Sequence, residues 1–167
     1  RMQLDPVLTQ EALIQEALMQ EALVEAQKAY VFDEVPIGAV VVKDGKIIGR
    51  GHNLRERVKD PTLHAEIIAI KQAAKALGSW RLSDCDLYVT IEPCPMCAGA
   101  VLQARIRQLI FGARDPKAGC AGSLYNLLQD SRFNHQTEVV EGVLEEDCSQ
   151  IMKDYFRQKR NKTDQFK

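Results

Sequence analysis

The sequence predicts a single α/β domain in which a central mixed sheet of about five strands is covered by helices on both faces. Three observations carry that expectation. Segments with helical and strand patterns alternate in the order α-β-β-α-β-α-β-β-α, and such alternation builds one sheet between helical layers. The strand candidates are short apolar runs, Val40-Val41-Val42, Leu87-Tyr88-Val89 and Leu109-Ile110-Phe111, of the kind buried on both faces. No linker divides the 167 residues into separate domains, and that length suffices for one core.

The elements follow in order. Residues 10–23 read QEAL-I-QEAL-M-QEAL, a strongly helix-forming five-residue repeat. Five steps of about 100° do not return to one helix face, so the repeat is not a heptad seam. A helix is expected to about Tyr30, with Leu18, Ala22 and Ala26 on its buried side and residues 1–17 as an extended helical repeat. Residues 37–51, IGAVVVKDGKIIGRG, form a β-hairpin turning at Asp44-Gly45. Asp60-Pro61-Thr62 leads into a helix that opens at His64-Ala65-Glu66 and runs to about Ala76, stopped by Gly78. Trp80 is expected to pack beneath the strand Leu87–Ile91 that follows. Pro95 suits the first turn of the next helix, which continues through Leu102. Strands at 109–112 and 138–140 precede an amphipathic helix over 145–160, with Ile151, Met152, Tyr155 and Phe156 at helical spacing, and a flexible tail at 161–167.

Composition bounds the function. Hydrophobic residues make up 46% and charged residues 27%, the balance of a soluble globular protein. No apolar run approaches the ~20 residues of a membrane span. Arg1-Met2-Gln3 leads into an acidic helical stretch rather than a leader, so a cytoplasmic protein with five reduced cysteines is expected, and a close pair then points to metal or redox chemistry. The formal net charge of −1 hides an asymmetry: residues 1–34 sum to −5 and residues 153–167 to +4. The cationic end is either a solvated helix terminus or a footprint for a polyanion.

Cys94 and Cys97, three apart at a helix start, form a two-sulfur claw whose thiolates the free N–H groups favour. A second Cys-x-x-Cys is missing, so a four-sulfur structural zinc site is not expected. A catalytic site needs one further ligand, and His64 is the best candidate, with His52 and His135 as alternatives. Alone, the cysteine pair could be a redox couple or two core thiols, and His-Ala-Glu means little. Together, each opening a helix that follows β-structure, they can meet at one sheet edge, where open α/β sheets bind ligands. Glu66 lies two residues from His64, which ideal helix phase does not put on one face. In the first turn both side chains can still enter the same cleft, and there a carboxylate can move protons for hydrolytic attack on an amidine-like carbon. Cys85, Cys120 and Cys148 are left as small core residues.

His-x-Glu followed by Pro-Cys-x-x-Cys resembles the signature of the zinc nucleoside and nucleobase deaminases. V-P-I-G-A-V at 35–40, G-H-N at 51–53, H-A-E-I-I-A-I at 64–70, T-I-E-P-C-P-M-C-A-G-A at 90–100, G-A-R-D-P-K-A-G-C-A-G-S at 112–123, F-N-H at 133–135 and D-Y-F-R at 154–157 narrow the likeness. Over residues 18–160 the chain resembles the bacterial tRNA-specific adenosine deaminases of the cytidine/deoxycytidylate deaminase superfamily. That resemblance implies a three-layer, cytidine-deaminase-like α/β/α fold and conversion of adenosine to inosine at the wobble position of tRNA, with tRNA-Arg bearing ACG as the expected substrate. It implies one Zn²⁺ per subunit on His64, Cys94 and Cys97, with Glu66 as proton shuttle. It also implies contacts to the target nucleoside from Asn53, Ile37 and the backbone of Ala65. Asp115 and Lys117 would hold neighbouring anticodon nucleotides, including a ribose 2′-hydroxyl, and Phe156, Arg157 and Arg160 the rest of the anticodon stem-loop. A homodimer with no membrane association is implied too, in which Ala98-Gly99-Ala100 would permit close packing. Tyr155, where the family often has Phe, would add a hydroxyl beside Phe156, and Arg114 would add a charge to the substrate loop. The competing readings are a free guanine or cytosine deaminase, a non-catalytic RNA-binding protein with a structural zinc, and a thiol redox protein.

Overall fold

The chain, in a computed structural model that describes residues 6–165, with side chains from residue 9, forms a five-stranded mixed sheet between two helical layers. Its elements are α1 (Pro6–Val31), β1 (Gly38–Lys43), β2 (Lys46–His52), α2 (Arg55–Val58), α3 (Ala65–Leu77), β3 (Cys85–Ile91), α4 (Pro95–Gln103), β4 (Gln108–Ala113), β5 (Glu138–Glu141) and α5 (Glu145–Gln165). Strand order is β2-β1-β3-β4-β5. β1 pairs antiparallel with both β2 and β3, whereas β3–β4 and β4–β5 are parallel. No helix among the described residues is long and apolar enough to cross a membrane.

Period-two alternation divides each central strand between two cores. Ala39 and Val41, Leu87 and Val89, and Leu109 and Phe111 face α3 and α4 with Ala65, Ala69 and Val101. Their neighbours Val40, Val42, Tyr88 and Ile110 face the other way, with Met19 and Ala22 of α1 and Cys148 of α5. Cys85, Cys120 and Cys148 are buried, as expected.

Two glycines set the helix–sheet spacing. A Cβ on Gly38 would strike the backbone of α1 at Ala22 and Ala26, and one on Gly51 would strike α3 at Ala65 and Ala69. The second contact matters for the site, because it draws the first turn of α3 down onto β2. α3 ends where expected, at Gly78, which is left-handed (φ 64°) and donates its N–H to Ala74 and Lys75 carbonyls.

The structure departs from the sequence reading in several places. In α1 the buried apolar positions are Met19, Ala22, Ala26 and Ala29, spaced by three and four, with Glu25 buried beside them, and Leu18 is only half-buried. α2 is an unforeseen single turn. Trp80 is 58% exposed under the Arg81 guanidinium, 4.6 Å from its ring centre, and Leu82 takes the buried place instead. α5 continues past Arg160 to Gln165, since no glycine or proline interrupts it. The remaining parts of the expected N-terminal repeat and tail, residues 1–5 and 166–167, lie outside the described residues.

Candidate active site and metal centre

The ends of β2 and β3, the start of β1 and the N-termini of α3 and α4 converge on one edge of the sheet. His64 is the N-cap of α3, with extended backbone (φ −79°, ψ 156°). Its side chain therefore escapes helical phase, so His64 and Glu66 both reach the same cleft although only two residues separate them. Cys94 is likewise the extended N-cap of α4 (φ −73°, ψ 175°), followed by Pro95, and Cys97 lies one turn on.

These elements bring one imidazole and two thiols together. His64 Nδ1 is 3.5 Å from Cys94 Sγ and 3.6 Å from Cys97 Sγ, and the three ligand atoms lie within 4.8 Å of one another. A tetrahedron with Zn–S of about 2.3 Å and Zn–N of about 2.0–2.1 Å has N···S edges of about 3.6 Å, so the donor set fits a metal ion. The alternative histidines are elsewhere: His135 Nε2 bonds the Ile106 carbonyl at 2.8 Å, and His52 Nδ1 lies 3.2 Å from the Asn53 carbonyl.

Electrostatics are tuned locally. The Cys94 thiol is drawn down to about 4, first by a hydrogen bond from Cys97 and then, against burial, by His64. The same bond and burial push Cys97 up, so the pair shares one proton when no cation is bound. Glu66, 3% exposed, is pushed up to about 7, chiefly by burial.

Above this cluster opens a cleft of about 1240 Å³. Ile37, Asn53, Asp115, Lys117, Phe156, Arg157 and Arg160 all line it with His64, Glu66 and Cys94. Cys97 and Ala65 are buried behind it. The Ala65 N–H donates to Asn53 Oδ1 at 2.8 Å, so the backbone group expected to read a base is engaged by Asn53. That bond also fixes the amide: its oxygen accepts from α3, which leaves the NH₂ for the cleft. Asp115 Oδ1 accepts the N–H groups of Lys117 and Ala118, an Asx turn that shapes the loop. The Tyr155 hydroxyl does not face the cleft beside Phe156. Its donor goes to the Asp33 carbonyl, on the α1 side. Arg114 lines the cleft but is held by both Glu141 oxygens, at 2.7 and 3.0 Å.

Sequence reasoning missed three contributors. Glu92, buried at the end of β3, accepts N–H groups from Asp115, Ala121 and Ser123, each at 3.0 Å, and the Ser123 hydroxyl. Burial alone would raise its pKa, but these bonds outweigh it and hold the carboxyl below the usual range. Gly119 passes so close that a Cβ would strike this carboxylate. Glu92 thus ties the loop bearing Asp115 and Lys117 to the strand that delivers Cys94. Arg55 lines the cleft from α2, and Glu34 caps α2 through the N–H groups of Glu56 and Arg57. The Thr-Ile-Glu-Pro-Cys string did contain Glu92; nothing in the sequence marked the other two.

Comparison with known proteins agrees with this geometry. Residues 14–160 match the MafB19-like deaminase family. A tRNA-specific adenosine deaminase from Bacillus subtilis is 58% identical over 138 residues, covering 83% of this chain and 86% of the relative. The chain belongs to the tRNA-specific adenosine deaminase family. A solved structure from work on A-to-I editing by tRNA:A34 deaminases at the wobble position matches with TM-score 0.78 and 47% identity, over 81% of this chain and 98% of that one. A guanine deaminase structure from Bacillus subtilis is also similar, at 43% identity and TM-score 0.58 over 65% of this chain and 69% of that chain. The shared scaffold thus spans tRNA-specific adenosine deaminases and a free-base enzyme, and what separates them must lie in the residues around the cleft.

Proposed function

We propose that this chain hydrolytically deaminates adenosine to inosine at the first anticodon position of a tRNA, with the arginine tRNA bearing ACG as the expected substrate. The observation that carries the reading is the stack of chemistries in one cleft. A buried carboxylate and a three-atom ligand cluster lie beneath a rim that holds Lys117, Lys153, Arg157 and Arg160. A free base would need only the bottom of that cleft.

His64, Cys94 and Cys97 would hold one Zn²⁺ per subunit, which supplies the Lewis acidity that makes water a nucleophile at neutral pH. The remaining work falls to side chains. Glu66 takes a proton from the attacking water as its oxygen adds to C6 of the purine and passes it to N1. It then takes the proton of the new C6 hydroxyl and delivers it to the departing amine, so that C6=O forms as ammonia leaves. A carboxyl pushed up by burial is suited to both directions of transfer. Asn53, its amide fixed by the Ala65 N–H, turns its NH₂ toward an acceptor on the base. A base edge that also drew on Ala65 would share that N–H with Asn53. Ile37 packs against the base. Asp115 spends Oδ1 on its own loop and keeps Oδ2 for a ribose hydroxyl beside Lys117. Phe156, Arg157 and Arg160 meet the neighbouring nucleotides by stacking and charge.

A cytoplasmic homodimer belongs to the same proposal. All five cysteines are free thiols, and Gly99 on α4 has open space around it where a partner's helix could approach. The deciding experiment follows inosine in an ACG anticodon stem-loop, with free adenosine, guanine and cytosine alongside, with and without a zinc chelator. Inosine confined to the RNA and lost on chelation is expected. Ammonia released from guanine or cytosine with the RNA untouched would move the chain to the free-base enzymes.

A further inference from the structure

Both walls of the cleft hang from one turn. α1 ends at Val31, and the chain reverses through Phe32, Asp33 and Glu34 with Asp33 in the left-handed region (φ 58°). On one side the buried Glu34 carboxylate accepts the N–H groups of Glu56 (3.1 Å) and Arg57 (2.6 Å). That fixes α2, whose first residue, Arg55, lines the cleft. On the other side the Asp33 carbonyl accepts the Tyr155 hydroxyl at 3.2 Å, and the Asp33 carboxylate pairs with Lys159 at 3.3 Å.

Tyr155 is the last buried residue of α5, and every residue from Phe156 to Gln165 is exposed. Its ring meets Tyr30 edge-on at 5.9 Å and Phe156 at 5.2 Å. The exposed half of α5, which carries Phe156, Arg157 and Arg160, is therefore a lever whose last buried anchor on the body of the protein is this one side chain, with the exposed Lys159–Asp33 pair beyond it.

We propose that Tyr155 is a positioning residue for RNA: its hydroxyl, bonded to Asp33, sets the outer half of α5 at the angle that presents Phe156, Arg157 and Arg160 across the cleft from Arg55. The proposal rests on the reading that the cleft takes a tRNA loop. A wall held in place before binding does not have to be ordered at the moment of binding, and affinity gains by that difference. The reacting atoms are remote from Tyr155, so the effect falls on binding and not on chemistry.

Tyr155→Phe keeps the ring and its contacts and removes the hydroxyl, with its bond to the Asp33 carbonyl and its contact with Lys159. With zinc-loaded protein and an ACG stem-loop at fixed salt, KM should rise about two- to tenfold, the equilibrium factor of one neutral hydrogen bond, with kcat unchanged. Asp33→Asn keeps the carbonyl and a side chain that tolerates φ above zero, and removes only the half-exposed ion pair with Lys159. Its KM should stay within about twofold of the parent value. Thermal unfolding of each variant confirms that it is folded at the assay temperature. An unchanged KM in Tyr155→Phe, or a fall in kcat at constant KM, overturns the proposal and leaves Tyr155 a packing residue. A parent protein that leaves the stem-loop untouched overturns the reading of the cleft itself, and the two failures are distinct.

Discussion

At the scale of single residues, Glu66 and Asn53 carry opposite kinds of information. In the proposed mechanism Glu66 makes the chemistry and adds little to the fold, so Glu66→Gln should leave metal content at the parent level while single-turnover inosine formation drops about 10²–10⁴-fold, the usual weight of a general acid–base group. Asn53, on the proposed reading, does both jobs with two atoms of one amide. Asn53→Ala should cost about 1–3 kcal/mol in urea unfolding, because the buried Ala65 N–H loses its acceptor. Asn53→Asp keeps an oxygen there and should stay close to the parent in stability, while kcat/KM falls for want of the donor. Equal unfolding midpoints for Asn53→Ala and Asn53→Asp would sink that division of labour. The histidine and cysteines were legible in the sequence, because ligand chemistry restricts the residue types and helix starts restrict the spacing. Asn53 came only from resemblance, since its partner is a main-chain N–H, which every residue except proline carries.

Elements show the same boundary between local and remote causes. The strands could be read because alternate side chains enter two separate apolar layers. α3 could be read because Gly78 stops it and Ala65, Ala69 and Ala73 line one side. α2 could not, since its single turn owes its N-cap to a carboxylate on Glu34, more than twenty residues upstream in sequence. The loop after β4 is held in the same remote way. Three of its bonds to Glu92 come from main-chain N–H groups, and only the Ser123 hydroxyl leaves a trace in the sequence. Glu92→Gln places an NH₂ among these donors and breaks at least one charge-assisted bond. A loss of about 1.5–3 kcal/mol is expected in denaturant unfolding, together with weaker stem-loop binding. Full stability in that variant would mean that the loop is held by its own turns instead.

For the whole molecule, the layer between the sheet and the α1/α5 face sets an upper pH limit. Burial pushes Tyr88 up to about 12 from 10.0 and Cys148 up to about 12 from 9.0. Both keep their protons in the folded chain at pH values where the unfolded chain has lost them. Their contribution is whole below about pH 9 and disappears as the pH climbs through about 12. Urea midpoints should fall steadily between these limits, and less steeply in Tyr88→Phe. A parallel fall in parent and variant would assign the limit to other groups. The sheet also gives the molecule a front and a back. The cleft opens at the edge where β1 begins and β3 ends. The Asp44-Gly45 turn sits at the far end of the six-residue β1, about 20 Å away, with open space around it, although Gly45 itself is left-handed (φ 75°) and should stay glycine. That turn is therefore a natural handle. A dye, a surface linker or a fused domain attached at it would leave the cleft facing outward and open to an incoming RNA.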